Sequence, residues 1–247
     1  MAEFDCRNNR LALLGLNQDG FRDAIAQAID RYGATRIGVF LGTSTSGIQS
    51  TEFAYKQKDQ QGRLHKDFNF RTTHNIYSAK VFATAYRHIN SGFCDAAVVG
   101  GVDSLCNMTL YGFNALQLIS STPCRPADKN RDGINIGEAA GFALLERDDN
   151  TQAQQNAVHF LGYGECSDAY HMSSPHPEGN GAYSAMQQAL SMAGLQPTDI
   201  DYINLHGTAT PANDISEDKA IYRLFSDKVS CSSTKGFTGH TLGSAGI

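Results

Sequence analysis

The chain has 247 residues, room for one large domain or two small ones at roughly 150 residues each, and enough to bury a core without disulfide or metal staples. Hydrophobic residues make up 41% and charged residues 18%, the latter below the roughly 25% of an average globular protein, which with 24 glycines argues against disorder. The net charge of -5, from 20 basic and 25 acidic residues, leaves no nucleic-acid footprint. No apolar run approaches the roughly 18 residues of a membrane span, and Met1 to Arg7 lacks the basic start of a secretory leader.

In chain order, strand and helix signals alternate as in an α/β protein. Phe21, Ala24, Ile25, Ala28 and Ile29 predict a helix over 19–29, with Gly33 as its stop. Arg36 to Leu41 is a short apolar strand, followed by a Gly- and Ser/Thr-rich loop over 42–47. Val81, Phe82, Ala85, Tyr86 and Ile89 predict a helix over 79–89. The unbroken apolar run from Cys94 to Gly101 is of the kind found in strands buried on both faces. Another strand is expected over 140–145. Polar, aperiodic residues 148–156 form the best domain boundary, which divides the chain into 1–150 and 151–247. Beyond it, strands are expected over 157–163, 201–205 and 228–231, and helices over 182–192, ended by Gly194, and over 215–225.

Several motifs yield to plainer readings. Asp128-Lys-Asn130-Arg-Asp132-Gly133 begins like a calcium loop, but the twelfth position is Ala139 and Pro123 and Pro126 oppose an entering helix, so a tight turn is expected. The 42–47 loop fits neither a Gly-x-Ser-x-Gly elbow nor a P-loop. His171 and His176 lack a third ligand and read as loop histidines. The six cysteines form no Cys-x-x-Cys pair, so neither a metal site nor a disulfide framework is expected, and a reducing cytoplasm is the simpler setting.

The tail carries a sharper signal. His206-Gly-Thr208-Ala-Thr210 leaves a predicted strand, and Asn213-Asp214 opens a predicted helix. Ligands of open α/β sheets gather at such strand ends. Lys235 and His240 follow in a second Gly-rich stretch, Ser233-Thr-Lys235-Gly-Phe-Thr-Gly-His240-Thr-Leu-Gly-Ser-Ala-Gly246. Two histidines and a lysine brought together would form a donor-rich pocket for a developing oxyanion. From spacing alone, a structural Gly-rich turn is an equal alternative.

These tail motifs closely resemble the β-ketoacyl-acyl carrier protein synthases, condensing enzymes of fatty-acid and polyketide synthesis. Gly38 to Gly47, Cys94 to Asp103, Arg125-Pro-Ala-Asp128, Arg131 to Gly141 and Ser167 to Met172 are similar to further stretches of that family. The resemblance implies a thiolase-like, layered α/β/α/β/α fold of two pseudo-equivalent halves. It implies that His206 and His240 are paired imidazoles that assist malonyl decarboxylation and hold the enolate oxygen. Lys235 would set the electrostatics of that pair, with Glu217 as its ion-pair partner, and Thr208 and Thr210 would hydrogen-bond a phosphopantetheine arm. It further implies an acyl carrier protein as partner and a cytoplasmic homodimer whose interface lies against the strand at Cys94 to Gly101. No redox cofactor, catalytic metal, nucleic acid or membrane enters. Lys56, Lys58, Arg63 and Lys66 form a basic cluster that could meet an acidic carrier protein, although a solvated polar face explains those charges as well.

One departure stands out. The family's helix resembling Ser78 to Tyr86 begins after a nucleophilic cysteine turn, whereas here Thr72-Thr-His-Asn-Ile-Tyr77 precedes it. No cysteine lies between Cys6 and Cys94, and none of those present takes the nucleophile role. The expectation is an incomplete, partly truncated copy, joined near Tyr77 and Ser78, lacking the nucleophile segment and the segments at both ends of the fold. Two rivals keep the same fold: a non-catalytic partner subunit of a condensing enzyme, and a malonyl-carrier-protein decarboxylase that needs no acyl-cysteine. A third reading is that the sequence omits segments of a complete enzyme.

Overall fold

The structure, a computed structural model, describes residues 6–65, 68, 81–148 and 157–247. Packing divides the chain into two compact units: Met1–Ala115, Ile136–Ala153 and His240–Ile247 form the first, Leu116–Asn135 and Gln154–Gly239 the second. The 1–150 and 151–247 halves follow fold kinship rather than packing and remain a proposal. The expected join at Tyr77 and Ser78 lies outside the described residues.

In the first unit, α1 (Arg7–Leu16), α2 (Phe21–Tyr32), β1 (Ile37–Gly42), α3 (Ile48–Lys56), α4 (Val81–Asn90), β2 (Ala96–Asp103), α5 (Asn107–Ala115) and β3 (Ala139–Glu146) follow in order. The sheet runs β1-β2-β3, with β1 parallel and β3 antiparallel to β2. Strand alternation sends successive side chains to opposite faces. Ala97 and Val99 of β2, with Ala143 and Leu145 of β3, therefore meet Ala85, Ile89, Val81 and Phe82 of α4. On β3, Phe142 stacks on Phe21 of α2 at 6.1 Å, and Ala140 backs α1 at Gly15. All eight residues of β2 are buried, as its unbroken apolar run requires. Both its edges are paired, so a second subunit could not extend its ladder.

The second unit contains α6 (Asn180–Ala193), β4 (Tyr202–Asn204), α7 (Pro211–Phe225), β5 (Ser230–Ser232) and the single turn α8 (Lys235–Thr238). β4 and β5 pair in parallel. Leu190 of α6 and Ile221 and Phe225 of α7 form its core with Met186, Ile203, Leu205 and Val229. Gly194 closes α6 in the left-handed conformation, the αL stop its sequence position anticipates. The Asp128–Gly133 segment is a tight turn in which Asp128 Oδ1 accepts the Asn130 N–H at 2.6 Å.

One expected strand is absent. Residues 157–163 have no ladder partner among the described residues. The segment lies instead on α6, where Gly162 and Gly164 allow its backbone to approach the helix backbone at Ala189 and Ala185. An apolar run becomes a strand only when another strand edge is available, and here a helix surface is the neighbour. A Cβ at residue 164 would collide with the Ala185 carbonyl. Gly164→Ala is therefore expected to destabilise the chain by about 1–3 kcal/mol, read as a lowered urea midpoint. An unchanged midpoint would show that the segment is not seated on α6.

Candidate active site

Parallel pairing of β4 with β5 brings two loops to one sheet end. The Leu205 N–H donates to Ser232 O at 2.7 Å, so His206 leaves the sheet beside Ser233 and the start of α8. Ser233 Oγ joins the loops, donating to Gly207 O at 3.2 Å and accepting the Lys235 N–H at 3.3 Å. Glu217 reaches back from α7 and accepts the His206 N–H at 2.6 Å and the Gly207 N–H at 2.8 Å. One turn earlier on the same helix, Asp214 accepts the N–H of Ala209 at 3.1 Å and that of Ala127 at 2.9 Å, facing Arg131 Nε at 3.6 Å. Ala209 is fully buried with φ +60°, a left-handed conformation that costs a non-glycine residue about 1–3 kcal/mol. A bond to a carboxylate contributes about 1.5–3 kcal/mol, enough to hold it there. Thr208 and Thr210, both buried, meet hydroxyl to hydroxyl at 2.9 Å. Each hydroxyl keeps capacity for a further hydrogen bond.

Lys235 is only 5% exposed. Burial lowers its pKa, against the opposing pull of Glu217, Cys124 and Asp214. Burial also holds the His206 imidazole below its usual pKa, with the Lys235 charge acting in the same direction and Glu217 and Asp214 opposing. His206 is as a whole an exposed residue. The expected contact ion pair between Lys235 and Glu217 is not formed. Glu217 binds backbone N–H groups and acts on Lys235 only through charge.

Cys124 lies beneath this loop, its Sγ donating to Thr208 O at 3.7 Å. Burial raises its pKa, as it does that of Cys94, so neither is an activated thiolate. The stretch Thr72 to Ser78, where the nucleophile turn is missing by resemblance, lies outside the described residues.

His240 belongs to the first unit. Its carbonyl accepts the Gly137 N–H at 3.1 Å, and its Nδ1 accepts the Leu242 N–H at 3.1 Å. An Nδ1 that accepts is unprotonated, so a neutral ring carries its proton on Nε2. His206, Lys235, Glu217, Thr208 and Thr210 are assembled in the second unit, and the pairing of the two histidines remains a proposal. In the basic cluster, Arg63 is tied to Asp59 at 2.8 Å and Lys58 lies over the Tyr55 ring at 4.2 Å. Lys66 is outside the described residues.

Residues 77–151 match the N-terminal domain of the beta-ketoacyl synthases and residues 158–247 the C-terminal domain. The 3-oxoacyl-[acyl-carrier-protein] synthase 2 of Staphylococcus aureus is 33% identical over 91% of this chain and 66% of its own length. The chain belongs to the β-ketoacyl synthase family. The synthase 2 of Rhizobium meliloti is 41% identical over 68% of this chain and 43% of that protein. Among solved structures, a ketosynthase (ApeO) in complex with its chain length factor (ApeC) from Xenorhabdus doucetiae is similar. It gives a TM-score of 0.84 at 39% identity, covering 99% of this chain and 66% of that one. The fold is accordingly the thiolase-like α/β fold of ketosynthases. This chain spans about two thirds of the length of the Staphylococcus aureus relatives it matches. The 264 aligned positions exceed its 247 residues, so the Staphylococcus relative carries internal sequence that this chain lacks.

Three residues of this site stand in the tail motifs without a role assigned from the sequence: Asp214, Ser233 and Asn213. Asn213 Nδ2 supports both carboxylates, at 3.2 Å from Asp214 and 3.4 Å from Glu217. Their signal was the i, i+3 spacing of Asp214 and Glu217, which places both carboxylates on one helix face.

An NMR titration is expected to give His206 a midpoint below 6.5. Because the unfolded chain takes up that proton first, the linked contribution to stability falls as pH drops from 6.5 through the folded midpoint. Lys235→Met removes a neighbouring positive charge and should move the midpoint up. A native midpoint at or above 6.5 would contradict the assignment.

Proposed function

We propose that the protein containing this chain is a 3-oxoacyl-[acyl carrier protein] synthase. It would join an acyl thioester to malonyl-acyl carrier protein by decarboxylative Claisen condensation, in fatty-acid or polyketide synthesis. The observation that carries the reading is the parallel end of β4 and β5, where His206 lies in the charge field of a buried Lys235 while Glu217 grips the His206 backbone.

In this reaction the bond between the malonyl α-carbon and its carboxylate breaks and carbon dioxide leaves. The electron pair moves onto the thioester oxygen as an enolate. Neutral imidazoles that donate an N–H to that oxygen lower the barrier without giving up a full proton. The depressed pKa of His206 and the Nε2–H tautomer of His240 suit both to that task. The enolate carbon then attacks the acyl thioester carbonyl, and the thiolate departs with the electron pair of the C–S bond. Thr208 and Thr210 would hydrogen-bond the phosphopantetheine arm of the carrier protein, their hydroxyls lying two and four residues beyond His206. We further propose a homodimer in the cytoplasm, a setting that fits six unpaired thiols.

A second reading is favoured by the raised pKa values of Cys94 and Cys124. Without an acyl-cysteine the chain would still decarboxylate malonyl carrier protein, or it would serve as a partner subunit to a complete synthase.

Two assays separate these readings. The purified chain is expected to form no thioester adduct when offered acyl carrier protein, and a stoichiometric adduct on one of its cysteines would restore full condensation. Carbon dioxide release from malonyl carrier protein is expected and should fall about 100-fold or more in His240→Ala. No release from the unaltered chain would remove the catalytic readings and leave the partner subunit.

A further inference from the structure

The first unit holds a buried carboxylate to which neither the family resemblance nor the proposed reaction gives a role. Asp103, at the end of β2, is fully buried. Its Oδ1 accepts Thr43 Oγ1 at 3.1 Å, and Ser44 N, Thr45 N and Thr45 Oγ1 at 2.7 Å each. Its Oδ2 accepts Ser44 Oγ at 3.0 Å and the Gly243 N–H at 2.6 Å. Every partner donates, so the group must be an acceptor on both oxygens.

The Gly243 bond matters for His240. Leu242, which sits between them, has φ +52°, strained for a side chain of its size. Its N–H is the donor that holds His240 Nδ1. The turn at 242–244 lies on the end of β2, where a Cβ at Gly101 would collide with the Gly243 carbonyl. A Cβ at Gly243 would meet Asp103 Oδ2 at 2.7 Å and Gly42 O at 3.1 Å. Asp103 therefore supplies the charge-assisted bond that keeps a strained turn closed, and the closed turn aims the Leu242 N–H at the imidazole.

We propose that Asp103 is a positioning residue that, through the Gly243 and Leu242 N–H groups, holds His240 in its Nε2–H tautomer. Its catalytic consequence rests on the decarboxylation reading above, whereas its structural content does not. An amide at 103 cannot replace the carboxylate. With its oxygen toward the four donors of the Thr43–Thr45 loop, its NH2 faces the Gly243 N–H, and the turn is released.

The test uses the full chain labelled with 15N in histidine, with His240 ring signals assigned from their loss in His240→Gln. The unaltered chain should show the single Nε2–H pattern. Asp103→Asn should replace it with a mixture containing the Nδ1–H form. Gly243→Ala, whose Cβ would press on Asp103 Oδ2 and Gly42 O, should do the same by pushing the turn off the carboxylate, and it decides the matter if Asp103→Asn fails to fold. Thr43→Val, which removes one Oδ1 donor and leaves the Gly243 bond, should keep the Nε2–H pattern even if it lowers stability. A folded Asp103→Asn or Gly243→Ala chain with the native pattern overturns the proposal, as does a mixture in Thr43→Val. Where the unaltered chain releases carbon dioxide, Asp103→Asn should lower kcat about 100-fold at similar KM. Where it releases none, the decarboxylation reading fails and the tautomer result still stands or falls alone.

Discussion

The backbone N–H groups of His206 and Gly207 converge on the Glu217 carboxylate, and the sheet end of the second unit depends on that convergence. A loop leaving a strand carries N–H groups with no ladder partner, and burying them unpaired is costly. Glu217 and Asp214 lie one helical turn apart and face the loop together. One takes the donors at 206 and 207, the other the donor at 209. Helix, loop and strand are thereby fixed as a unit, and the His206 ring and the two threonines inherit their positions from it.

Those carboxylates also set the charge balance around Lys235. A buried ammonium is expensive, and burial lowers its pKa accordingly. Glu217 and Asp214 offset this through space while their oxygens remain on the backbone. The lysine keeps a positive field beside His206, which disfavours the imidazolium. The result is a neutral donor next to a cation, suited to holding an oxyanion.

Both histidine-bearing loops use the same device. In the second unit Ala209 adopts a left-handed conformation and its N–H is held by Asp214; in the first, Leu242 does so and the next N–H is held by Asp103. Neither strained residue is a glycine. Each turn persists because a buried carboxylate contributes about as much as the strain costs.

The sequence by itself determined the α/β alternation, the fully buried β2 and the helix stop at Gly194, and through the family resemblance it singled out His206, Lys235 and His240 as candidates. These follow from apolar runs and local motifs, which need no knowledge of neighbours. Helices α1, α3 and α5 were not legible, because α5 buries no residue, α1 only Asn8 and α3 only Ile48 and Ala54, six positions apart, so no periodic apolar stripe marks them. The strand expected over 157–163 failed for the complementary reason: an apolar run does not reveal whether its neighbour is a strand edge or the glycine-lined contact with α6. Only the tertiary structure decided which carboxylate meets which donor. Glu217 went to the backbone rather than to Lys235, and Asp103 reached Gly243 across 140 positions of chain. Such pairings are set by the parallel register of β4 on β5 and by the closing of the 242–244 turn on β2, contacts between residues that are distant in sequence and that no local pattern records.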